Sequence, residues 1–381
     1  MDAEFYLDNA ATTRILPEVL AEALPFLEDG FGNPSSLHGL GVTAGRAVKE
    51  ARETLARVLG VPPQGVTFTS GGTESDNLAL RGVFGSARLK GERLLISAIE
   101  HPAVRETARA LEAAGVRVAR IPVTAGGVVD LARLEALLSP EVRLVSVMAV
   151  NNELGTAQPL VEIGRLLRAH APKAVFHVDA VQAFTRVPLP WREARIDLLS
   201  VSAHKVHGPK GVGALVRCSP VPLAPQTLGG GQEDGLRSGT ENTFGIVAFA
   251  AAARRAAAGH QAQRADRAAY HRAWLETLTE FPRIAVFRSE QATPFIVNFS
   301  LRDVPGEVTL HHLEQQGLLV STGSACSSHA PEPSPVLLAA GLSEAEALSA
   351  IRLSFSLHNT PAGLPRVLPA FRRAMAELAR L

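Results

Sequence analysis

Ser202-Ala203-His204-Lys205-Val206-His207-Gly208-Pro209-Lys210-Gly211 follows the apolar run Ile196-Asp197-Leu198-Leu199-Ser200-Val201. The run reads as a buried strand, and the Gly/Pro-rich stretch after it cannot continue one, so a strand ends by presenting a lysine. Lysine is scarce here: the chain has only Lys49, Lys90, Lys173, Lys205 and Lys210 among 38 basic residues. A primary amine condenses with an aldehyde and a guanidinium does not, which gives Lys205 a chemical reading beside that of a solvated turn residue. Lys49 belongs to the charged run Lys49-Glu50-Ala51-Arg52-Glu53 of a helix, where a solvated face accounts for it.

Outward from this stretch, short apolar runs alternate with helical patterns. Val66–Thr69, Arg93–Ser97, Val116–Ile121, Leu144–Val150, Val175–Val178, Asp197–Val201 and Val212–Val216 read as strands. Helices are predicted near Pro17–Leu27, Thr43–Leu59, Pro102–Ala114, Leu131–Leu138 and Leu160–Ala169. The rhythm predicts an α/β fold with a mostly parallel seven-stranded sheet covered by helices on both faces. Val212–Val216 returns after a short turn and is the candidate antiparallel member. A long Ala- and Arg-rich helical stretch, about 242–280, leads to a smaller α+β domain with strands at Phe295–Leu301, Leu318–Ser321 and Ile351–Ser356 and a last helix near Leu364–Arg380. The expected division is a large domain over 15–255 and a small one formed by 256–381 together with 1–14.

Composition narrows the function. With 38 basic and 37 acidic residues and no long like-charged block, neither nucleic acid nor a membrane surface is an expected partner. The N-terminus lacks a basic and apolar leader pattern and no stretch has the roughly 20 apolar residues of a membrane span, which predicts a cytoplasmic protein. Two cysteines, Cys218 and Cys326, do not make a disulfide framework. No metal is expected.

In α/β sheets ligands gather beyond the carboxyl ends of the strands. Four such ends carry His101, Asn152, Asp179 with Gln182, and His204 with Lys205. Ser70-Gly71-Gly72-Thr73-Glu74-Ser75-Asp76-Asn77 follows a strand and opens a helix, a place where free N–H groups and a threonine hydroxyl meet a phosphate, although a capped helix behind a tight turn has the same pattern. Each residue alone reads equally as a satisfied turn residue. Together they are the parts of a pyridoxal phosphate site: a lysine to hold the aldehyde, a carboxylate to keep the pyridine nitrogen protonated, and a phosphate cup.

From Leu7-Asp8-Asn9-Ala10-Ala11-Thr12-Thr13 to Ile351-Arg352-Leu353-Ser354 the chain resembles cysteine desulfurases of the NifS/IscS type, within the fold-type I, class V aminotransferase family. Ser202-Ala203-His204-Lys205 with Gly208-Pro209-Lys210-Gly211, and Arg237-Ser238-Gly239-Thr240-Glu241-Asn242, carry the likeness most specifically. The resemblance implies the PLP-dependent transferase fold and pyridoxal 5'-phosphate as cofactor. It implies that Lys205 bonds the cofactor, Asp179 pairs with the ring nitrogen, Gln182 meets the ring hydroxyl and His101 stacks on the ring and serves as acid or base. Gly72, Thr73, Ser202 and His204 would form the phosphate cup, Thr240 reaching over from a second subunit of a homodimer. Asn152 and Arg352, with Asn33, would hold the carboxylate of L-cysteine.

Cys326 sits in the polar loop Ser321-Thr322-Gly323-Ser324-Ala325-Cys326-Ser327-Ser328-His329-Ala330-Pro331, a setting unlike that of a packed cysteine, whereas Cys218 after an apolar strand is the buried kind. In the resembling family this loop brings a nucleophilic cysteine to the substrate and hands its sulfur to acceptor proteins for iron–sulfur cluster assembly or tRNA thiolation. The chain departs from the family at Ser356-Leu357-His358, His207 and Asp234. Two other readings share these residues: an aminotransferase or selenocysteine lyase in which Cys326 is incidental, and a non-catalytic scaffold of the same fold.

Overall fold

The computed structural model describes residues 2–322 and 332–379. Cys326, expected to be the nucleophile, lies outside the described residues. The strands are β1 (Val66–Thr69), β2 (Arg93–Ser97), β3 (Arg117–Ile121), β4 (Val142–Ser146), β5 (Val175–Asp179), β6 (Leu198–Ser202) and β7 (Gly213–Arg217), joined in one sheet of order β1-β7-β6-β5-β4-β2-β3. Only β7 runs against its neighbours, pairing antiparallel with both β1 and β6. All the parallel strands therefore deliver their carboxyl ends to one edge.

Alternating side chains explain why the central strand runs are apolar at successive positions. Leu95, Val145 and Leu199 enter the core beneath the helices Gly39–Leu59 and Thr243–Ala262. Their neighbours Leu94, Leu144 and Leu198 enter the core beneath Gly72–Gly85 and Pro102–Ala113 on the other face. A strand buried on both sides has no polar register to show in its sequence.

A second, four-stranded antiparallel sheet is built from β8 (Ile284–Phe287), β9 (Ile296–Leu301), β10 (Ser321–Thr322) and β11 (Ala350–Ser354), in the order β10-β11-β9-β8. Ile351 and Leu353 of β11 point into a separate apolar core with Leu7, Trp274, Phe299 and Phe371, and the period of two turns Arg352 to the opposite face. The start of the chain joins this sheet through isolated bridges from Tyr6 to Leu319 and from Asp8 to Ser354.

Several expected bounds shift. The long helical stretch is two helices, Thr243–Ala262 and Arg264–Thr279, divided at Gln263. The strand expected over Leu144–Val150 ends at Ser146, although Val147 and Ala149 still donate to the carbonyls of His177 and Asp179. The strand expected at Leu318–Ser321 is reduced to Ser321–Thr322, because Leu319 pairs with the N-terminal segment instead.

Candidate active site

The turn after β6 is fixed from two sides. Ala203–Lys205 forms a single 3-10 turn, Gly208 N–H closes it onto the carbonyl of Ala203, and His207 takes a left-handed conformation with φ of 67°. Thr13 clasps it: its N–H and hydroxyl donate to the His204 carbonyl, and its oxygen accepts from His207 N–H at 2.7 Å. The Lys205 amine is thereby directed into a cavity of about 630 Å³, where it donates to the carbonyls of Ala10 at 2.6 Å and Ala11 at 2.8 Å.

That cavity collects the predicted residues. Gly72, Thr73, His101, Asn152, Asp179, Gln182, Ser202, His204, Lys205 and Arg352 all line it, drawn from the ends of β1, β2, β4, β5 and β6 and from β11. Thr240 and Asn33 do not. Both are exposed, and the Asn33 side-chain oxygen is engaged by Ser35 N–H in a local turn, so this chain does not bring Asn33 to its own substrate pocket.

The residues fit a phosphorylated pyridine aldehyde. Gly71, with φ of 154° and ψ of −174°, adopts a conformation essentially confined to glycine and starts the helix Gly72–Gly85 with no side-chain cap. Ser202 Oγ is buried without a partner among the described residues, 3.9 Å from where a side chain on Gly71 would begin. A hydroxyl and an uncapped helix N-terminus facing one space are an anion cradle. Gly213 allows it, since a side chain there would meet the Gly71 backbone at 2.7 Å.

Burial and mutual charge perturb the ionisable groups that line the cavity. Burial, and then the positive charges of Arg352 and Arg186, push the Lys205 amine down to about 7. Burial raises the Asp179 carboxyl, opposed by His101 and by a hydrogen bond from Val181 N–H at 2.9 Å. Burial also keeps His101 neutral by lowering it, and its Nδ1 accepts from Ala103 N–H at the start of the helix Pro102–Ala113. His204 is lowered to about 4, by burial first and then by Lys205.

Four residues of this region escape a reading by strand ends. Asp76 and Glu100 line the cavity almost fully buried, Glu100 raised to about 8 by burial. Asp8 pairs with Arg352 at 2.7 Å. Arg186 bonds the Gln182 side chain and the Lys205 carbonyl. Asp76, four residues after Gly72 and hence on the same helix face, was the one with a local signal.

Fold and cavity together are those of a pyridoxal phosphate-dependent enzyme. The chain belongs to the aminotransferase class-V family, whose sequence profile matches residues 5–367. It is 39% identical over 385 residues to a cysteine desulfurase of Trichormus azollae, spanning 99% of this chain and 94% of that one. Among solved structures it is similar to a NifS-like protein, with a TM-score of 0.92 and 36% identity over 99% of both chains. It is also similar to SspA in complex with cysteine, with a TM-score of 0.81 and 35% identity over 92% of this chain and 98% of the other.

Proposed function

We propose that this chain is a cysteine desulfurase that converts L-cysteine to L-alanine and retains the sulfur on Cys326 as a persulfide. The observation that carries the reading is the meeting of Lys205, Asp179 and Arg352 in one cavity, within a chain that matches cysteine desulfurases over nearly its full length. Bound pyridoxal phosphate supplies an aldehyde for an amine to engage and a protonated ring that withdraws electrons from the substrate's Cα.

The chain's own groups do the rest. Arg352 and Asn152 hold the substrate carboxylate and so orient the Cα–H bond. Lys205, whose amine its surroundings push down to about 7 and so leave partly unprotonated at neutral pH, takes the α-proton. His101, largely buried and uncharged, exchanges a proton with the substrate thiol. The Cys326 thiolate attacks the substrate sulfur, its new S–S bond forming as the carbon–sulfur bond breaks, and protons returned to the carbon skeleton release alanine.

Intact-protein mass spectrometry after brief exposure to L-cysteine tests this. One added sulfur, mapped to Cys326 and absent from Cys326→Ala, is the expected result. Undiminished sulfide release by Cys326→Ala would remove the nucleophile and favour the lyase reading.

The same proposal includes a homodimer. Leu27, Phe31, Leu37 and Leu228 are between 58% and 98% exposed, an apolar set that a second copy would cover, and Thr240 is exposed away from its own cavity. Mixed dimers of Lys205→Ala and Thr240→Ala subunits, each inactive or impaired alone, should regain one intact site. The persulfide would pass to acceptor proteins of iron–sulfur assembly or tRNA thiolation in the cytoplasm; no helix among the described residues is long and apolar enough to cross a membrane.

A further inference from the structure

Arg186 lies four residues beyond Gln182 in the turn segment that follows β5, is only 8% exposed, and has no carboxylate partner among the described residues. Its hydrogen bonds go to neutral oxygens. Nη1 donates to Gln182 Oε1 at 3.0 Å, and Nη2 donates to the Lys205 carbonyl at 2.9 Å and reaches the Asn9 carbonyl at 3.5 Å. The guanidinium lies 5.7 Å from the centre of the Phe295 ring, which Arg267 approaches equally closely. The groups around it, Arg267, His204, His207 and His260, add no negative charge. A buried cation left so poorly compensated is a cost that a purely structural residue has no reason to impose.

Gln182 shows what the charge does. A side-chain amide has one carbonyl and two N–H bonds, and its two orientations differ in which end faces which neighbour. Arg186 donates to the oxygen, and Nε2 donates to the Ala10 carbonyl at 2.9 Å. Reversing the amide would set N–H against guanidinium N–H and oxygen against carbonyl oxygen, so the orientation is fixed. One N–H remains, on a residue that lines the cavity.

We propose that Arg186 is a positioning residue for the cofactor: it locks the Gln182 amide as a hydrogen-bond donor toward the ring oxygen of pyridoxal phosphate and sets a buried positive charge behind that donor. The inference rests on the reading of the cavity given above, in which Gln182 meets the ring hydroxyl. An oxygen facing a fixed donor backed by a cation is held as its anion. The same guanidinium fastens the backbone of Lys205, so the lysine and the ring-oxygen contact move as one unit. The charges facing the Lys205 amine are Asp8, Asp179, Arg352 and Arg186, with His101 and His204 beside it. Of these, Arg186 alone among the described residues bonds both the Gln182 side chain and the Lys205 backbone.

The visible absorption of holoenzyme purified without substrate, titrated with pH, reports protonation of the lysine-bound cofactor. Arg186→Met should move the midpoint upward by about one pH unit, because loss of a nearby cation favours the protonated form. Arg186→Lys keeps the charge but not the fork; its midpoint should stay near wild type while cofactor is lost on dialysis several-fold faster. In Gln182→Leu, which has no amide to orient, adding Arg186→Lys should not speed that loss further. If Arg186→Met does not accumulate as folded protein, the Arg186→Lys dissociation rate decides, and a rate equal to wild type overturns the inference. So does an unmoved midpoint in folded Arg186→Met. Wild-type protein with no titrating visible band would instead overturn the cofactor reading itself.

Discussion

Arg352 Nη2 donates to Asp8 Oδ1 at 2.7 Å while Nη1 donates to the Asn152 carbonyl at 3.0 Å, so the fork that faces the cavity is already engaged by the chain itself. Its Nε is buried without a partner among the described residues. In the proposed role, an incoming substrate carboxylate would share this guanidinium with Asp8. Arg352→Lys preserves the charge and removes the fork. Charged hydrogen bonds are worth about 1.5–3 kcal/mol each, so kcat/KM for L-cysteine should fall roughly 10- to 100-fold, mainly through KM. Steady-state kinetics checks this, and an unchanged KM would place the carboxylate elsewhere.

The Lys205 amine gives the cofactor-free chain a specific pH dependence. Its folded value of about 7 lies below the ordinary 10.5, so between those values the unfolded chain binds more protons and stability rises with pH. The destabilisation is fully present below pH 7 and is relieved toward pH 10.5. Relative to Lys205→Met, wild type should gain roughly 1.4 kcal/mol per pH unit across this window in urea unfolding. A flat difference between pH 7 and 9 would mean that the amine stays charged in the fold.

The site residues legible in the sequence share one property: each directly follows an apolar run or a short turn after one. His101, Asn152, Asp179 and Lys205 are of this kind, and a parallel sheet then brings them to one edge without further information. Asp76 follows no strand, since it lies in the second turn of the helix Gly72–Gly85, and Glu100 shares the turn of His101 but stands just before a helix, where a carboxylate is usually solvated; only the fold buries both. The pairing of Asp8 with Arg352 spans almost the whole chain. β8 was missed because its four residues are only partly buried and it lies at a sheet edge, where patterning is weak. Two departures from the family, His207 and His358, are a single feature: their rings meet edge to face with centroids 5.3 Å apart.

Cys218 should take no part in sulfur transfer. It follows β7, is 9% exposed, and its thiol is pushed up to about 12 by burial and then by Asp197. At pH 8 the thiolate, the reactive form, is about a thousandfold scarcer than for a free cysteine. Native protein should leave Cys218 unalkylated by iodoacetamide and denatured protein should not. Cys218→Ala should retain activity within about twofold, since removing one small group far from the cavity touches none of its lining. Persulfide found on Cys218 would contradict the assignment.

Glu100 carries the proton that the carboxyl cluster cannot do without. Its Oε1 accepts from the Ser97 hydroxyl and from Met148 N–H at 2.8 Å, its Oε2 has no partner among the described residues, and burial raises it to about 8. Asp76 is raised as well, by burial and then by Asp179. Three buried carboxyls in mutual range do not all ionise, and in the proposed site the one that must is Asp179, which would face the pyridine nitrogen. The protonated form of Glu100 stabilises the fold fully below pH 4.5, and that contribution is lost as pH rises toward 8. Glu100→Gln mimics the protonated acid, accepts the same two hydrogen bonds and has nothing to lose. Its stability relative to wild type should therefore rise by roughly 1.4 kcal/mol per pH unit between pH 5 and 8. Parallel stability curves over that range would mean that Glu100 is ionised throughout, and Asp179 would then face its cofactor beside a second buried anion.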